Sequence, residues 1–145
     1  MTREIKFRGK DFLGRWHYGY LHLATGSSSL MIQVDSFDSF GVLPETVGQF
    51  TGQPDKNKKE IWEGDIVRVG ILSPNYTGSY PEPYYVDTVC IYKEGAFLYK
   101  RISPFDKKKL SRNWTYKPMH RYEIYSTEVI GNIHDTPELL KTETL

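Results

Sequence analysis

Alternation of apolar and polar residues with a period of two is the feature that most constrains the fold of this chain. Residues 15–24 (RWHYGYLHLA) place Trp16, Tyr18 and Tyr20 on one face of an extended strand. Further strands are predicted at residues 4–8, 30–34, 61–62, 66–72, 85–92, 96–102 and 122–133. Because the 3.6-residue period of amphipathic helices almost never occurs, we predict a mainly β protein.

Turn-forming residues separate these strands. We predict a turn near residues 9–14, a turn-rich gap at residues 36–41, a short extended segment after Pro44, and a tight hairpin at residues 93–95. The one predicted helix follows the last strand, with Thr136 as its cap, Pro137 at its first position, and Leu139 and Leu140 packing back. Residues 73–84 and 103–121 are left as two long connections, and such loops often carry function.

The composition narrows the class of protein. A chain of 145 residues with 39% hydrophobic residues can bury a core, and it holds one cysteine, Cys90, which excludes an internal disulfide. No apolar run is long enough to span a bilayer, and charges occupy the start where a signal peptide is apolar. We therefore expect a cytoplasmic protein with no membrane association.

The segment KKEIWEGDIVRV, residues 58–69, contains a turn that begins a strand. Gly64 can adopt a backbone conformation closed to other residues, and the Asp65 carboxylate can accept hydrogen bonds from nearby backbone amides. A glycine-aspartate corner before a strand of Ile and Val is frequent in small SH3-like barrels, whose strands bend strongly. We interpret Gly64 and Asp65 as structural turn residues.

Residues 45–52 (ETVGQFTG) and 55–67 (DKNKKEIWEGDIV) together resemble the central signature of the YopX family of phage and prophage proteins. Residues 3–8 resemble the start of that family, and residues 128–135 with PELL at 137–140 resemble its ending. The family commonly has glycine at the position of Lys58, so a left-handed conformation is costlier here. We expect a turn centred on Asn57 to absorb the difference, because asparagine tolerates positive φ.

The alternation near the start of the chain predicts an antiparallel β-meander over residues 1–41. The resemblance implies an SH3-like β-barrel in the later part, residues 42–145, and we expect one compact unit with the short C-terminal helix. It also implies an origin in a phage or an integrated prophage and a protein that is oligomeric or binds a partner. It implies no known reaction, and fold alone does not supply one.

Catalytic and metal-binding patterns are absent from the sequence. The four histidines, His17, His22, His120 and His134, have no spacing that presents two ligands together, and no nucleotide-binding or serine-hydrolase motif occurs. Glu60, Glu63 and Asp65 are explained by turn chemistry, and Cys90 lies within an apolar strand as a core residue does. We therefore predict a protein that is not an enzyme and needs no metal or cofactor.

The second long connection is strongly basic. Residues 100–121 hold eight Lys or Arg and one acid, for a net charge of +7, whereas the whole chain carries +1. Cations attract phosphates and aromatic rings stack on bases, which is the combination that a surface for single-stranded nucleic acid needs. We favour a solvated loop whose Trp114 and Tyr116 pack on the barrel, and we keep nucleic-acid binding as the alternative. The candidate residues are Lys107, Lys108, Lys109, Arg112, Trp114, Tyr116, Lys117 and Arg121.

The first long connection is rich in tyrosine and proline, and Tyr76 and Tyr80 are its candidate contact residues. Tyrosines supply large contact area with a polar end, so this segment is either a contact surface or an ordered lid. The leading hypothesis is a non-catalytic binding module that uses one or both connections to bind an unknown host or phage macromolecule. The alternatives are a nucleic-acid-binding protein and a structural homo-oligomer.

Overall fold

The protein is described by a computed structural model, which covers residues 4–71, 84–103, 114–119 and 124–143, with the backbone alone for residues 141–143. These residues form strands and two short 3₁₀ helices, and the strands lie in two antiparallel sheets of six and five strands. The chain divides into two compact units, Met1–Gln53 and Pro54–Leu145. The prediction of a mainly β protein is confirmed.

The first unit is a meander of short strands. They are β1 (Phe7–Lys10), β2 (Trp16–Leu23), β3 (Leu30–Gln33), β4 (Ser39–Gly41) and β5 (Gly48–Pro54), in the sheet order β4-β3-β2-β1-β5. β1, β2 and β3 each pair antiparallel with the next strand along the chain, as the sequence predicts for a meander, and β5 pairs with β1. A 3₁₀ helix at Pro44–Thr46 precedes β5.

Two predictions for this unit are wrong in detail. The gap predicted at residues 36–41 contains β4, which is only three residues long and is stabilised by pairing with β3, where Phe40 lies opposite Ile32. The turn predicted near residues 9–14 begins only after residue 10, because Gly9 and Lys10 belong to β1 and pair with His17 and Trp16 of β2. In both cases the deciding contact is with another strand, which local alternation does not report.

The second unit holds β6 (Glu60–Trp62), β7 (Asp65–Ile71), β8 (Tyr84–Lys93), β9 (Ala96–Arg101), β10 (Tyr116–Pro118) and β11 (Ile124–Asn132). Its five-stranded sheet has the order β10-β9-β8-β7-β11, and no closed barrel is found within the residues that the structure covers. Part of the connection predicted for residues 103–121 is wrong, since residues 116–118 form the edge strand β10.

The core of this unit lies on both faces of β7, the strand between β8 and β11. On one face Val67, Val69 and Ile71 pack with Cys90 and Tyr99. On the other face Ile66, Val89 and Ile102 are covered by Leu139 and Leu140. Cys90 is buried in the first cluster, as expected for a small apolar core residue.

The C-terminal helix is a 3₁₀ helix over Pro137–Glu143, and the packing of Leu139 and Leu140 is confirmed. Thr136 does not cap a regular α-helix: its Oγ1 accepts the amide of Asn132 and donates to the carbonyl of Asn132. A helix this short is marginal by propensity alone, so packing determines its geometry. Among the described residues, no helix has the length and apolar character needed to cross a membrane.

Candidate functional site

The corner at Gly64 and Asp65 is fixed by backbone contacts. Gly64 has φ of 92°, its amide donates to the carbonyl of Cys90 at 2.8 Å, and its carbonyl accepts the amide of Ile133 at 2.9 Å. The buried Asp65 carboxylate accepts the amide of Trp62 at 2.7 Å. These contacts indicate a structural role for both residues. They hold the backbone in this turn, and the Asp65 carboxylate accepts a hydrogen bond from a backbone amide.

The turn at residues 55–59 is organised by Asp55, whose side chain is almost fully buried. Its Oδ1 accepts the amides of Asn57 and Lys59, at 2.8 and 2.9 Å, and its Oδ2 accepts the amide of Val129 at 2.9 Å. Burial by itself raises the pKa of this carboxyl, but the amides of Val129, Lys59 and Asn57 and the charge of Lys59 outweigh it and lower the pKa.

The Asp55 turn also covers the outer edge of β11. The amide of Lys56 donates to the carbonyl of Thr127 at 2.9 Å, next to the bond between Asp55 and Val129. The Lys56 ammonium forms an ion pair with Glu128 at 2.8 Å. Backbone groups of an edge strand that would otherwise attract another strand are therefore bonded within the chain.

The base of the basic stretch is fastened by Arg101, the last residue of β9. Its Nε donates to the carbonyl of Trp114 at 2.8 Å, and its guanidinium also donates to the carbonyl of Ser103. Its backbone amide donates to the carbonyl of Thr115. One side chain therefore brings together Ser103 and Trp114, the two residues between which residues 104–113 run.

Two lysines and a tyrosine lie together at the β10 edge of the five-stranded sheet. Tyr116 lies opposite Lys100 in the sheet register, and the Lys93 ammonium lies 4.2 Å from the centre of the Tyr116 ring. Tyr116 is 39% exposed, and both lysines are exposed. This group of Lys93, Lys100 and Tyr116 is called the β10 platform below.

Trp114, two residues before β10, packs on the core of the second unit. Trp114 packs against the cluster around Val67 and Tyr99, and the Lys117 ammonium lies 5.1 Å from the centre of the Trp114 ring. Trp114 therefore packs on the sheet, as the sequence predicts, whereas Tyr116 is exposed and contacts Lys93. The other candidate residues lie outside the described part of the chain: Lys107, Lys108, Lys109, Arg112, Arg121, Tyr76 and Tyr80.

A polar cluster in the first unit was missed by the sequence reasoning. The buried Asp11 accepts the amides of Leu13 and Arg15, lies 2.8 Å from Arg15 Nε, and lies 2.8 Å from His17 Nε2. The hydrogen bond from His17 and then the amide of Arg15 hold the pKa of Asp11 well below its ordinary value. The His17 ring stacks on Phe40 with 3.9 Å between centroids. An aspartate within the turn predicted near residues 9–14 was the available signal.

Two turns of the first unit carry very exposed apolar side chains. Phe12 and Leu13 follow Asp11 and are 82% and 77% exposed, and Phe37 is 95% exposed in the turn between β3 and β4. Asp35 Oδ1 accepts the amides of Phe37 and Asp38, both at 2.8 Å, so this turn is also organised by an aspartate. Both turns therefore present large apolar side chains to solvent.

Titratable side chains do not gather into a metal site in the part of the chain that the structure describes, where no group of three His, Cys, Asp or Glu is suited to hold an ion. The buried carboxylates of Asp55 and Asp11 accept hydrogen bonds from backbone amides, and that of Asp11 also contacts the side chains of Arg15 and His17. The arrangement with the clearest capacity for an external ligand is the β10 platform.

The family model described as YopX protein matches residues 13–141, which is nearly the whole chain. No curated protein matches the chain.

Proposed function

The chain belongs to the YopX family, and from that premise we propose that it is a phage or prophage accessory protein that acts by binding and not by catalysis. Its ligand is a host or phage macromolecule, and its contact surfaces are the two connections at residues 73–84 and 103–121. We include in the proposal a cytoplasmic location in a bacterial host and an SH3-like closure of residues 42–145.

The observation that carries the proposal is the pair of hydrogen bonds by which Arg101 holds Ser103 and Trp114 together at the sheet edge. Arg101 bonds the carbonyls on both sides of residues 104–113, and the β10 platform adds two exposed lysines and a tyrosine beside them. A surface held on a rigid element loses less conformational entropy on binding than a free loop does.

The segments that resemble the family support a structural role for the rest of the chain. Gly64 and Asp65 form a corner, and Asp55 covers the edge of β11. These residues have their carboxylates and amides engaged within the fold, so we assign binding to the segments that carry little of the family resemblance.

Affinity capture from host lysate tests the proposal. The basic variant replaces Lys107, Lys108, Lys109 and Arg112 with serine, and we expect it to lose a macromolecule that the wild-type protein captures. A smaller variant, Lys107→Ser with Lys108→Ser, is compared with a matched control, Lys58→Asn with Lys59→Ser, which removes two exposed lysines from the turn at residues 55–59. Identical captured sets for all variants would overturn the assignment to residues 103–121.

A second candidate is a structural homo-oligomer, favoured by the exposed Phe12, Leu13 and Phe37. Apolar side chains on fixed turns are suited to a contact between copies. Sedimentation over a range of concentrations tests it, with a variant that replaces these three residues by serine. A wild-type protein that stays monomeric at high concentration removes this candidate.

A further inference from the structure

We propose that the β10 platform is a binding site for single-stranded nucleic acid, with the Tyr116 ring stacking on a base and Lys93 and Lys100 contacting the flanking phosphates. This inference rests on the proposed binding function and names its ligand class. The three residues come from three strands, so the site exists only through the register of β8, β9 and β10.

The register places the three side chains on one face. Tyr116 is directly opposite Lys100, and residues directly opposite each other in antiparallel strands point to the same side with Cβ atoms roughly 5 Å apart. Lys93 reaches the same face, because its ammonium lies 4.2 Å from the centre of the Tyr116 ring. The ring therefore has one lysine over it and a second beside it.

The contact between Lys93 and Tyr116 leaves the ring available to a ligand. A cation over an exposed aromatic ring is held weakly, and the flexible stem of lysine lets its ammonium move to a nearby anion. A base can then take the position above the ring while Lys93 binds the adjacent phosphate. This pairing of an aromatic platform with cations is how sequence-tolerant single-strand sites are built.

The electrostatic surroundings favour a polyanion. Residues 100–121 carry a net charge of +7. One acid lies on the strands of the platform, Asp87, which forms an ion pair with Arg68 at 2.9 Å, and Glu94 occupies the tight turn between β8 and β9. The Asp87 charge is therefore offset within the sheet, and Lys93 and Lys100 keep their attraction for phosphate.

The aromatic component distinguishes a nucleic acid from an acidic protein. An acidic polypeptide offers carboxylates without a planar ring beside each charge, whereas every nucleotide combines one phosphate with one base. A base within a duplex is already stacked on its neighbours, so a tyrosine on an edge strand gains a stacking partner only from an unpaired base.

Fluorescence anisotropy with the full-length protein tests this proposal, using labelled oligothymidylate and oligouridylate over a series of salt concentrations. We expect the wild-type protein to bind both, with an affinity that falls as salt rises. Tyr116→Ala should weaken binding roughly 5- to 150-fold without changing the salt dependence. Tyr116→Phe keeps the ring and should bind like the wild type.

The roles of Lys93 and Lys100 are tested by the salt dependence of the affinity. Lys93→Ser with Lys100→Ser should reduce the slope of log affinity against log salt by about 1.4, the value for two phosphate contacts on a single strand. The matched control, Lys58→Asn with Lys59→Ser, should leave the slope unchanged. Each variant is first compared with the wild type in thermal unfolding, so that a loss of binding is not a loss of fold.

Three outcomes overturn the proposal. The first is a wild-type protein that binds neither oligonucleotide at low salt. The second is a Tyr116→Ala variant that binds like the wild type. The third is competition by polyglutamate as strong as by unlabelled oligonucleotide, which assigns the platform to acidic proteins. If oligonucleotides fail but the lysate capture still depends on residues 103–121, the proposed binding function stands. If both fail, both proposals fall.

Discussion

At the scale of single residues, two residues other than glycine adopt a backbone conformation that favours glycine. Lys58 has φ of 65° and Glu94 has φ of 51°, and these are the positive values among the non-glycine residues that the structure describes. The expectation that Asn57 would absorb the missing glycine at residue 58 is wrong, because Lys58 itself adopts the left-handed conformation. The Asp55 side chain holds the amides of Asn57 and Lys59 and thereby fixes this path.

We predict that Lys58→Gly stabilises the protein. The left-handed conformation costs a non-glycine residue about 1–2 kcal/mol, and the greater freedom of glycine in the unfolded chain offsets part of that gain. The free energy of unfolding in urea should therefore rise by roughly 0.5–1 kcal/mol. Lys59→Gly is the matched control, since Lys59 lacks a positive φ, and it should destabilise. A fall in stability for Lys58→Gly would contradict this account of the turn.

The Asp55 carboxylate makes stability depend on pH. The pKa of Asp55 is lowered in the folded state, so its contribution is fully present above the ordinary carboxyl pKa and is lost as pH falls through the folded value. Asp55→Asn leaves an NH₂ group facing an amide donor, and we expect a loss of roughly 1.5–3 kcal/mol in unfolding free energy at neutral pH.

Unfolding measured from neutral to acidic pH checks this prediction. Because the asparagine cannot titrate, the difference between wild type and Asp55→Asn should shrink as the pH falls below the ordinary carboxyl pKa of about 3.9. The amide of Val129 should also exchange faster in the variant, since it loses its acceptor. A constant difference across the pH range would show that Asp55 does not contribute through its charge.

At the scale of elements, Arg101 joins β9 to β10 at the point where residues 104–113 leave and return. Its planar guanidinium donates to two carbonyls at once, which a lysine ammonium on a flexible stem does not reproduce. Arg101→Lys keeps the positive charge but not the planar guanidinium. Any effect of this substitution is therefore due to the loss of the hydrogen bonds to Ser103 and Trp114.

We predict that Arg101→Lys lowers the free energy of unfolding by about 1–2 kcal/mol. The reason is that hydrogen bonds from a charged donor to partly buried carbonyls are lost. The substitution should also weaken ligand capture by residues 103–121 although the net charge is unchanged. Urea unfolding and the lysate capture measure the two effects. If Arg101→Lys matched the wild type in both stability and capture, the hydrogen bonds of Arg101 would have no role in either.

Most strands were predictable because apolar and polar residues alternate along them. The hairpin of β8 and β9 was also predictable, since Gly95 has φ of 83° in the two-residue turn that joins them. The strands β4 and β10 were missed because each is three residues long and depends on pairing with β3 or β9. The type of the C-terminal helix was missed for the same reason, since packing determines it.

The candidate site was predictable in composition but not in arrangement. The sequence identified Trp114, Tyr116 and Lys117 as basic-aromatic candidates, yet it did not separate them by face. Trp114 contributes to the core, and Tyr116 joins Lys93 and Lys100, which lie more than a dozen residues away in the chain. Register between strands is a tertiary property, so no local pattern contains it.

At the scale of the whole molecule, the charge distribution is the feature on which the proposed binding rests. Residues 100–121 carry +7, and the rest of the chain carries a net charge of −6, so the total of +1 conceals the asymmetry. A concentrated positive region raises the rate of encounter with an anionic ligand, and added salt screens this attraction. The proposed binding should therefore weaken as ionic strength rises.

The most direct test of the proposed function is quantitative capture from host lysate at low and high salt. The comparison uses wild type, the basic variant with serine at Lys107, Lys108, Lys109 and Arg112, and the control Lys58→Asn with Lys59→Ser. The account predicts that wild type and control recover the same macromolecule at low salt, and that the basic variant does not recover it. Equal recovery by all three proteins at both salt concentrations would contradict the account.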